Sequence, residues 1–412
     1  METEILEQKE IKRVPNLRFE EFEAKWFNTK LGEFLTFKNG LNSEKEKYGS
    51  GIKFINVLDI INNDFITYER IIGSVEVTQK ELEKNNVSFG DILFQRSSET
   101  REDVGQSNVY LDKHKSAVFG GFVIRGKGLK DYNPLFINYL LKTGSARNEI
   151  TSKSGGSTRY NVGQETLANV VITTTSLSEQ QKIASFLSAV DKKIQQLTRK
   201  KELLDTYKKG VMQQLFSQEI RFKTAGGKDF PEWERKKLKD ICTFFSGGTP
   251  VSTNKAYYSG SIPFIGSGNI YDSKVYNFIT KEALKSSSSK MINRGDLLYA
   301  LYGANSGECA ISKMNGAINQ AILCIRSKYN IQYFYFLLSF NKGKIIGKYL
   351  QGGQGNLSTD IIKKLKFQFP ALQEQQKISE FLSAVDRKIE TVQQQITKTQ
   401  SFKKGLLQQM FV

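Results

Sequence analysis

The 412-residue chain contains a single histidine, His114, and three cysteines, Cys242, Cys309 and Cys324. One imidazole leaves no room for a histidine-built metal centre or a Ser/His/Asp triad. The cysteine spacings fit neither a zinc motif nor a disulfide framework. His114 follows Asp112-Lys113 and reads as a loop residue. Proline is scarce, six in all, so turns must rest on glycine and asparagine. No apolar run approaches the roughly 18 residues of a membrane span. Met1 opens into acidic, polar sequence rather than a secretory leader. These absences predict a cytoplasmic chain with no metal site of its own.

What the chain does have is positive charge. Lys and Arg total 60 against 42 Asp and Glu, a net +18, and such an excess favours a polyanionic partner, most simply nucleic acid. The excess is uneven: residues 1–217 carry 32 positive and 28 negative charges (+4), residues 218–412 carry 28 and 14 (+14).

The chain also repeats itself. Leu177-Ser-Glu-Gln-Gln-Lys-Ile-Ala-Ser-Phe-Leu-Ser-Ala-Val-Asp-Lys-Lys-Ile194 returns 195 positions later as Leu372-Gln-Glu-Gln-Gln-Lys-Ile-Ser-Glu-Phe-Leu-Ser-Ala-Val-Asp-Arg-Lys-Ile389, identical at 14 of 18 positions. The same offset joins Lys208-Lys-Gly-Val-Met-Gln-Gln-Leu-Phe216 to Lys403-Lys-Gly-Leu-Leu-Gln-Gln-Met-Phe411. Upstream the echo is fainter. Arg18 and Trp26 answer Arg221 and Trp233, Gly90-Asp91 answers Gly295-Asp296, and Gly155-Gly156 answers Gly352-Gly353. A repeat of this length sets the architecture before any motif does.

Within each repeat, short β-branched and aromatic runs at 52–60, 117–124, 317–325 and 365–369 predict strands bounded by Gly, Asn and Ser. Residues 133–143 and 331–340 predict one short helix in each variable part. The repeated segments predict long helices. Ile183, Val190, Leu197, Leu204 and Val211 fall every seventh residue beside Leu187, Ile194 and Leu215. Ile378, Val385, Val392, Thr399 and Leu406 do the same beside Leu382, Ile389, Ile396 and Met410. That period marks a coiled-coil seam. Ser178 and Gln373 stand where N-caps belong, and a helix over 178–216 would span roughly 55–60 Å.

These features resemble the specificity subunit of type I restriction–modification enzymes, over nearly the whole chain. The duplicated Glu-Gln-Gln-Lys-Ile…Phe-Leu-Ser-Ala-Val-Asp helices carry the likeness most specifically. Ser246-Gly-Gly-Thr-Pro250, Ile262-Pro-Phe-Ile265, Gly295-Asp-Leu-Leu298 and Gly316-Ala-Ile-Asn-Gln320 add to it. The first half departs from the pattern, with Phe37-Lys38-Asn39-Gly40 where the second has Ser-Gly-Gly-Thr-Pro. The resemblance implies an α+β chain with two β-rich target-recognition domains. Each would be followed by a long helix, the helices pairing as an antiparallel coiled coil with pseudo-two-fold symmetry. The expected division is an N-terminal extension at 1–16, a first recognition domain at 17–176 and a first helix at 177–217. A linker and second recognition domain follow at 218–371, and a second helix at 372–412.

The resemblance further implies a non-catalytic subunit in which each domain reads one half of a bipartite, asymmetric duplex DNA target. The helices would set the spacer and dock two modification subunits. Those subunits would use S-adenosylmethionine on adenine N6, and any restriction subunits would use ATP and Mg, with no cofactor bound by this chain. The residues agree that catalysis lies elsewhere. No two prolines are adjacent, so the Asn/Asp-Pro-Pro-aromatic turn of adenine methyltransferases is absent. No G-x-G-x-x-G follows a strand, and Gly121-Phe-Val-Ile-Arg-Gly126-Lys127 lacks the Ser/Thr of a phosphate loop and reads as a strand. Two other readings stay open at this level: a self-sufficient methyltransferase or nuclease with an unrecognised site, and a scaffold without sequence preference.

Base reading calls for Arg, Lys, Asn or Gln at groove edges. The candidates in the first domain are Arg96 and Arg101 in the loop 95–101, and Lys153, Arg159 and Tyr160 in the Gly-rich 151–161. In the second they are Lys255, Tyr257 and Tyr258 after the Gly-Thr-Pro turn, Tyr302 and Asn305, then Gln354 and Asn356 in a second Gly-rich loop. Gln180, Gln181, Lys182 and Asp191, repeated as Gln375, Gln376, Lys377 and Asp386, are polar positions that packing alone would not fix. They are the candidate docking surface for the modification subunits.

Overall fold

The computed structural model describes residues 14–349 and 356–412. The chain divides into two compact units whose seam falls at Thr198/Arg199 and again at Gln393/Gln394. Each cut passes through a long helix, Leu177–Phe216 or Leu372–Gln409. The fold is mixed α and β, with a long helix after each sheet-bearing domain.

In unit 1 the central sheet runs Leu35–Asn39, Val123–Gly128, Ile92–Gln95, Ser107–Val109, antiparallel throughout. In unit 2 the corresponding order is Thr243–Ser246, Ile322–Arg326, Leu297–Ala300, Cys309–Ile311, again antiparallel. The strand after each Gly-Asp pair is buried along its whole length, because alternate side chains feed two cores. Ile92 and Phe94 join the core under the long helix, while Leu93 joins the core of a smaller sheet. Leu297 and Tyr299 against Leu298 and Ala300 divide in the same way. The smaller sheets pair Tyr48–Ile55 with Val118–Phe119, and Ile262–Ile265 with Gly316–Ile318, both in parallel. Each entry segment forms a ribbon with the strand just before the long helix: Phe27–Lys30 with Val171–Thr174, and Glu234–Lys237 with Lys366–Phe369.

Several elements differ from the sequence reading. The run 52–60 is a strand only to Ile55; there Asp59 accepts a bond from the Asn56 N–H at 2.8 Å and starts the helix Val57–Ile61. Gly120-Gly121 breaks the run 117–124 in two, and a turn between Ile318 and Ile322 breaks 317–325. The helix predicted at 331–340 continues to Tyr349, whereas its partner in unit 1 stops at Leu140 and restarts as Gly144–Ser152, capped by the Thr143 hydroxyl. Ser178 and Gln373 are not N-caps. The long helices begin one residue earlier, and in the first the Ser176 hydroxyl accepts the Glu179 N–H at 3.4 Å.

Most heptad positions are buried, while Val190, Ile194, Leu204, Ile389 and Thr399 are half-buried. In unit 1, Ile183, Ala184 and Leu187 share a core with Leu406, Met410 and Phe411 from the end of the second long helix, running the opposite way. In unit 2, Val211, Met212 and Leu215 meet Ile378 and Leu382. Phe411 packs edge-on against Trp26, and Phe216 stacks on Phe340. One ion pair recurs with both members displaced by 195 positions: Asp191–Lys403 at 2.5 Å in unit 1 and Asp386–Lys208 at 2.6 Å in unit 2.

Candidate nucleic-acid interface

Two loops in each domain are tied together at the end of the central strand by the same backbone bonds. In unit 1 the Arg96 N–H donates to Phe122 O (2.9 Å) and the Val162 N–H to Arg96 O (3.0 Å). In unit 2 the Leu301 N–H donates to Ala321 O (2.8 Å) and the Leu357 N–H to Leu301 O (3.0 Å). The segments carrying most of the candidate readers therefore converge, although they lie far apart in sequence.

Around the shared hinge the side chains diverge. Arg96 is exposed, with one 3.3 Å bond to Gly121 O, whereas Leu301 is buried. Phe122 is 65% exposed where unit 2 has the buried Ala321. In unit 1, Tyr160 and Asn161 pair with Ser98 and Ser97 as a short ribbon that presents the exposed Arg159. Gly156 turns this loop at φ +114°, and a Cβ there would lie 2.0 Å from Arg159 O, so glycine is required. Arg101 is engaged on its own domain, donating to Thr151 O and Ser152 O at 3.1 and 3.4 Å. Lys153 pairs with Glu149 at 3.3 Å.

In unit 2, Lys255 is exposed, while Tyr257 and Tyr258 pack against the Phe264–Ile279 core and the Tyr258 hydroxyl donates to Pro250 O at 2.7 Å. The Tyr302 hydroxyl donates to Gln320 O, whose side chain accepts from the Thr249 hydroxyl. Asn305 donates to Ser267 O at 3.3 Å. Asn356 is exposed, and Gln354 lies outside the described residues.

The docking candidates separate by burial. Gln180 and Gln375 are buried, donating to Thr175 O and Pro370 O at 2.8 and 2.9 Å. Asp191 is buried, accepting from the Tyr139 hydroxyl at 2.6 Å besides its pair with Lys403, and Asp386 holds Lys208. These four recur because an internal bond recurs; as surface candidates the buried Gln180, Gln375 and Asp191 are corrected, while Asp386 is half-buried. Gln181 and Lys182 are exposed, Lys182 pairing with Glu21 at 3.0 Å. Gln376 is exposed and bonds Asn330 and Glu380; Lys377, half-buried, donates to Lys223 O. Tyr207 and Phe402, 195 positions apart, are 51% and 55% exposed. The sequence reading passed over them, although an aromatic kept in both copies off the heptad seam was the available signal.

A second feature missed from sequence clasps each entry segment to its helix. Arg18 grips the Glu179 carboxylate through two bonds (2.7 and 2.8 Å) and the Trp26 indole N–H adds a third at 3.2 Å. Arg221 and Trp233 bind Glu374 in the same way, at 3.1, 2.9 and 3.1 Å. Burial alone would raise the Glu179 pKa; bonds from Arg18, Thr175 and Trp26 outweigh it and hold the carboxyl below the usual glutamate range. The three cysteines are unpaired and buried, and burial pushes each thiol up to about 12, far from a reactive thiolate. Among the described residues no three His, Cys, Asp or Glu side chains are placed to hold a metal ion, and no helix is long and apolar enough to cross a membrane.

The family model for the type I restriction modification DNA specificity domain matches twice, over residues 23–205 and 231–399. The chain belongs to the type I restriction–modification specificity family. Specificity subunits are the non-catalytic component of these systems. The chain is 25% identical over 402 residues to a protein of Methanocaldococcus jannaschii described as the MjaX type I restriction enzyme specificity subunit, covering 93% of this chain and 92% of that one. It is 25% identical over 408 residues to the MjaVIII specificity subunit of the same organism, covering 93% and 91%. In fold it resembles the crystal structure of the type I restriction–modification S subunit from M. genitalium, with a TM-score of 0.62 at 16% identity over 97% of this chain and 99% of the other.

Proposed function

We propose that each sheet-bearing domain of this specificity subunit reads one half of a bipartite, asymmetric duplex DNA target. The paired helices set the unread spacer between the half-sites and dock two modification subunits. The observation that carries this reading is the contrast at the loop hinge. Identical backbone bonds hold loops whose side chains differ, Arg96 and Phe122 against Leu301 and Ala321. A fixed frame with exchanged side chains is what two different base readers require. Arg96, Arg101, Lys153, Arg159, Lys255 and Asn356 are the exposed readers, Arg101 and Lys153 each bonded on their own domain as well. Tyr160, Tyr257, Tyr258, Tyr302 and Asn305 shape the loops that present them.

Gln181 and Lys182 on the first helix and Gln376 and Lys377 on the second are two copies of one docking surface, and Tyr207 and Phe402 are a repeated exposed aromatic for the same kind of partner. A surface repeated on two helices suits one kind of partner bound twice. The S-adenosylmethionine chemistry belongs to those partners, and ATP with Mg to restriction subunits where these accompany them. Mapping methylated adenines in cells carrying this chain with its modification subunit tests the proposal. The expected result is a single asymmetric motif of two fixed parts around a constant gap. Methyl transfer by the purified chain alone, or methylation without such a motif, would overturn it.

A further inference from the structure

The second half carries no more cations than the first, 28 against 32, but half the carboxylates, 14 against 28, so its cations can gather without acidic neighbours. In unit 2, Arg235, Lys344, Lys348, Lys364 and Lys366 line one cleft together with Asn341, Ile345, Tyr349, Leu365 and Phe367, and no carboxylate is among the lining residues. All five cations are exposed. Strand alternation places Arg235 and Lys366 on one face of the Glu234–Lys237/Lys366–Phe369 ribbon. One helical turn places Lys344 and Lys348 on one side of Ile331–Tyr349. Lys344 and Lys348 lie over the Phe340 and Tyr349 rings, at 5.7 and 5.3 Å to the centroids, an arrangement that leaves their charge in place.

The same ribbon in unit 1 is differently built. Its register, Lys30↔Val171 against Lys237↔Lys366, puts Asn28 at the place of Arg235, Val171 at that of Lys366 and Asn169 at that of Lys364. A carboxylate closes that edge: Glu149 accepts the Val171 N–H at 3.0 Å and pairs with Lys153. Five like charges around one cleft repel one another, and a polyanion relieves that repulsion.

We infer that this cleft grips the phosphate backbone of DNA beside the half-site read by the second domain, a hold that the first domain lacks. The inference rests on the DNA-reading function proposed above. It adds a grip that strengthens binding without choosing bases, since phosphates carry no sequence information.

The test is the Lys364→Gln/Lys366→Gln double variant, assembled with its modification subunit. Its affinity is measured across a salt series on a duplex carrying the mapped methylation target and on a scrambled duplex of equal length. Each phosphate left without its cation should make the slope of log K against log salt shallower by about 0.9. The expected result is a slope shallower by about 2, weaker binding to both duplexes by about tenfold, and an unchanged methylation motif. The Lys364→Arg/Lys366→Arg variant should restore both slope and affinity. An unchanged slope with the motif intact overturns this inference alone. Weaker assembly with the modification subunit at an unchanged DNA slope also overturns it, marking the cleft as a protein-binding surface. A wild-type complex without any sequence preference overturns the reading of function on which it rests.

Discussion

Asp91 and Asp296 occupy the same place in the two units, each ending a Gly-Asp pair and each accepting a backbone N–H three residues earlier, at 2.9 and 2.8 Å. Their surroundings differ. Asp296 receives two bonds from Arg326, at 2.8 and 2.6 Å, which with the Asn293 N–H outweigh burial and hold its carboxyl below the usual aspartate range. Asp91 lies 4.0 Å from Arg125, too far for a hydrogen bond, and burial wins, raising its pKa. The Glu179 and Glu374 clasps, by contrast, share their arginine and tryptophan bonds, Glu179 adding only the Thr175 hydroxyl. The units agree where the entry segment meets the helix and diverge within the sheet-bearing domains. The joint tolerates little change, whereas side chains around the sheet can be exchanged as long as the strand order holds.

The largest expected effect breaks the agreement. Glu374→Ala removes two of the bonds of the half-buried Arg221, which keeps Phe230 O and Pro231 O, and leaves the buried Trp233 N–H unpaired, and should cost about 3 kcal/mol. Glu179→Ala should cost as much or slightly more, since the Thr175 hydroxyl also loses its acceptor. Denaturant unfolding of both variants checks this, and a difference of several-fold between them would show that the two clasps are not equivalent. Leu301→Ala should then cost roughly 3 kcal/mol of stability as a core truncation. Arg96→Ala, at the same place in unit 1, should stay within about 0.5 kcal/mol in stability yet lose about 1–3 kcal/mol of discrimination at one base. Unfolding curves and methylation mapping of the two variants separate these effects.

Asp296→Asn should cost about 1.5 kcal/mol at neutral pH, and Asp91→Asn close to nothing. The signs on the pH axis are opposite. Asp296, with its pKa lowered, contributes stability above the unfolded aspartate pKa of about 3.9 that is lost as pH falls through its folded value. Asp91, with its pKa raised, makes a contribution that is full below that unfolded value and lost as pH rises through its folded one. Stability measured from neutral pH into acid should therefore lose part of its acid sensitivity in Asp296→Asn, whereas Asp91→Asn should move the profile the other way. The smallest effect on stability is expected from Tyr207→Ala and Phe402→Ala, under about 0.5 kcal/mol each. Titration with modification subunit should nonetheless show both variants binding one copy less tightly.

The duplication, the long helices and the seams were legible because identity at a fixed offset and a seven-residue period need no tertiary information. Internal bonding was not. Gln180 and Asp191 look like surface residues until Thr175, Tyr139 and Lys403 are seen beside them. Strand ends were misread where one residue decides them. Asn56 diverts a β-branched run into a helix, and Gly120-Gly121 cuts another. The loops were legible as polar and Gly-rich, but not the hinge bonds at Arg96 and Leu301, nor the pairing of Ser97 and Ser98 with Asn161 and Tyr160, that bring distant segments together.

The recurrent Asp–Lys joint has a consequence for how such a chain is inherited. Residues 1–217 contain both members of the joint, Asp191 and Lys208, on one helix, and residues 218–412 contain both again, Asp386 and Lys403. A gene cut at the midpoint would still encode a lock together with its own key. Two copies of the half chain could close on one another through a symmetric pair of the same ion pairs and present the same reader twice. Ultracentrifugation of a 1–217 fragment should find dimers, and Lys208→Glu should leave monomers. Fusing two unlike halves then needs no new interface, only a change of sheet-bearing domain.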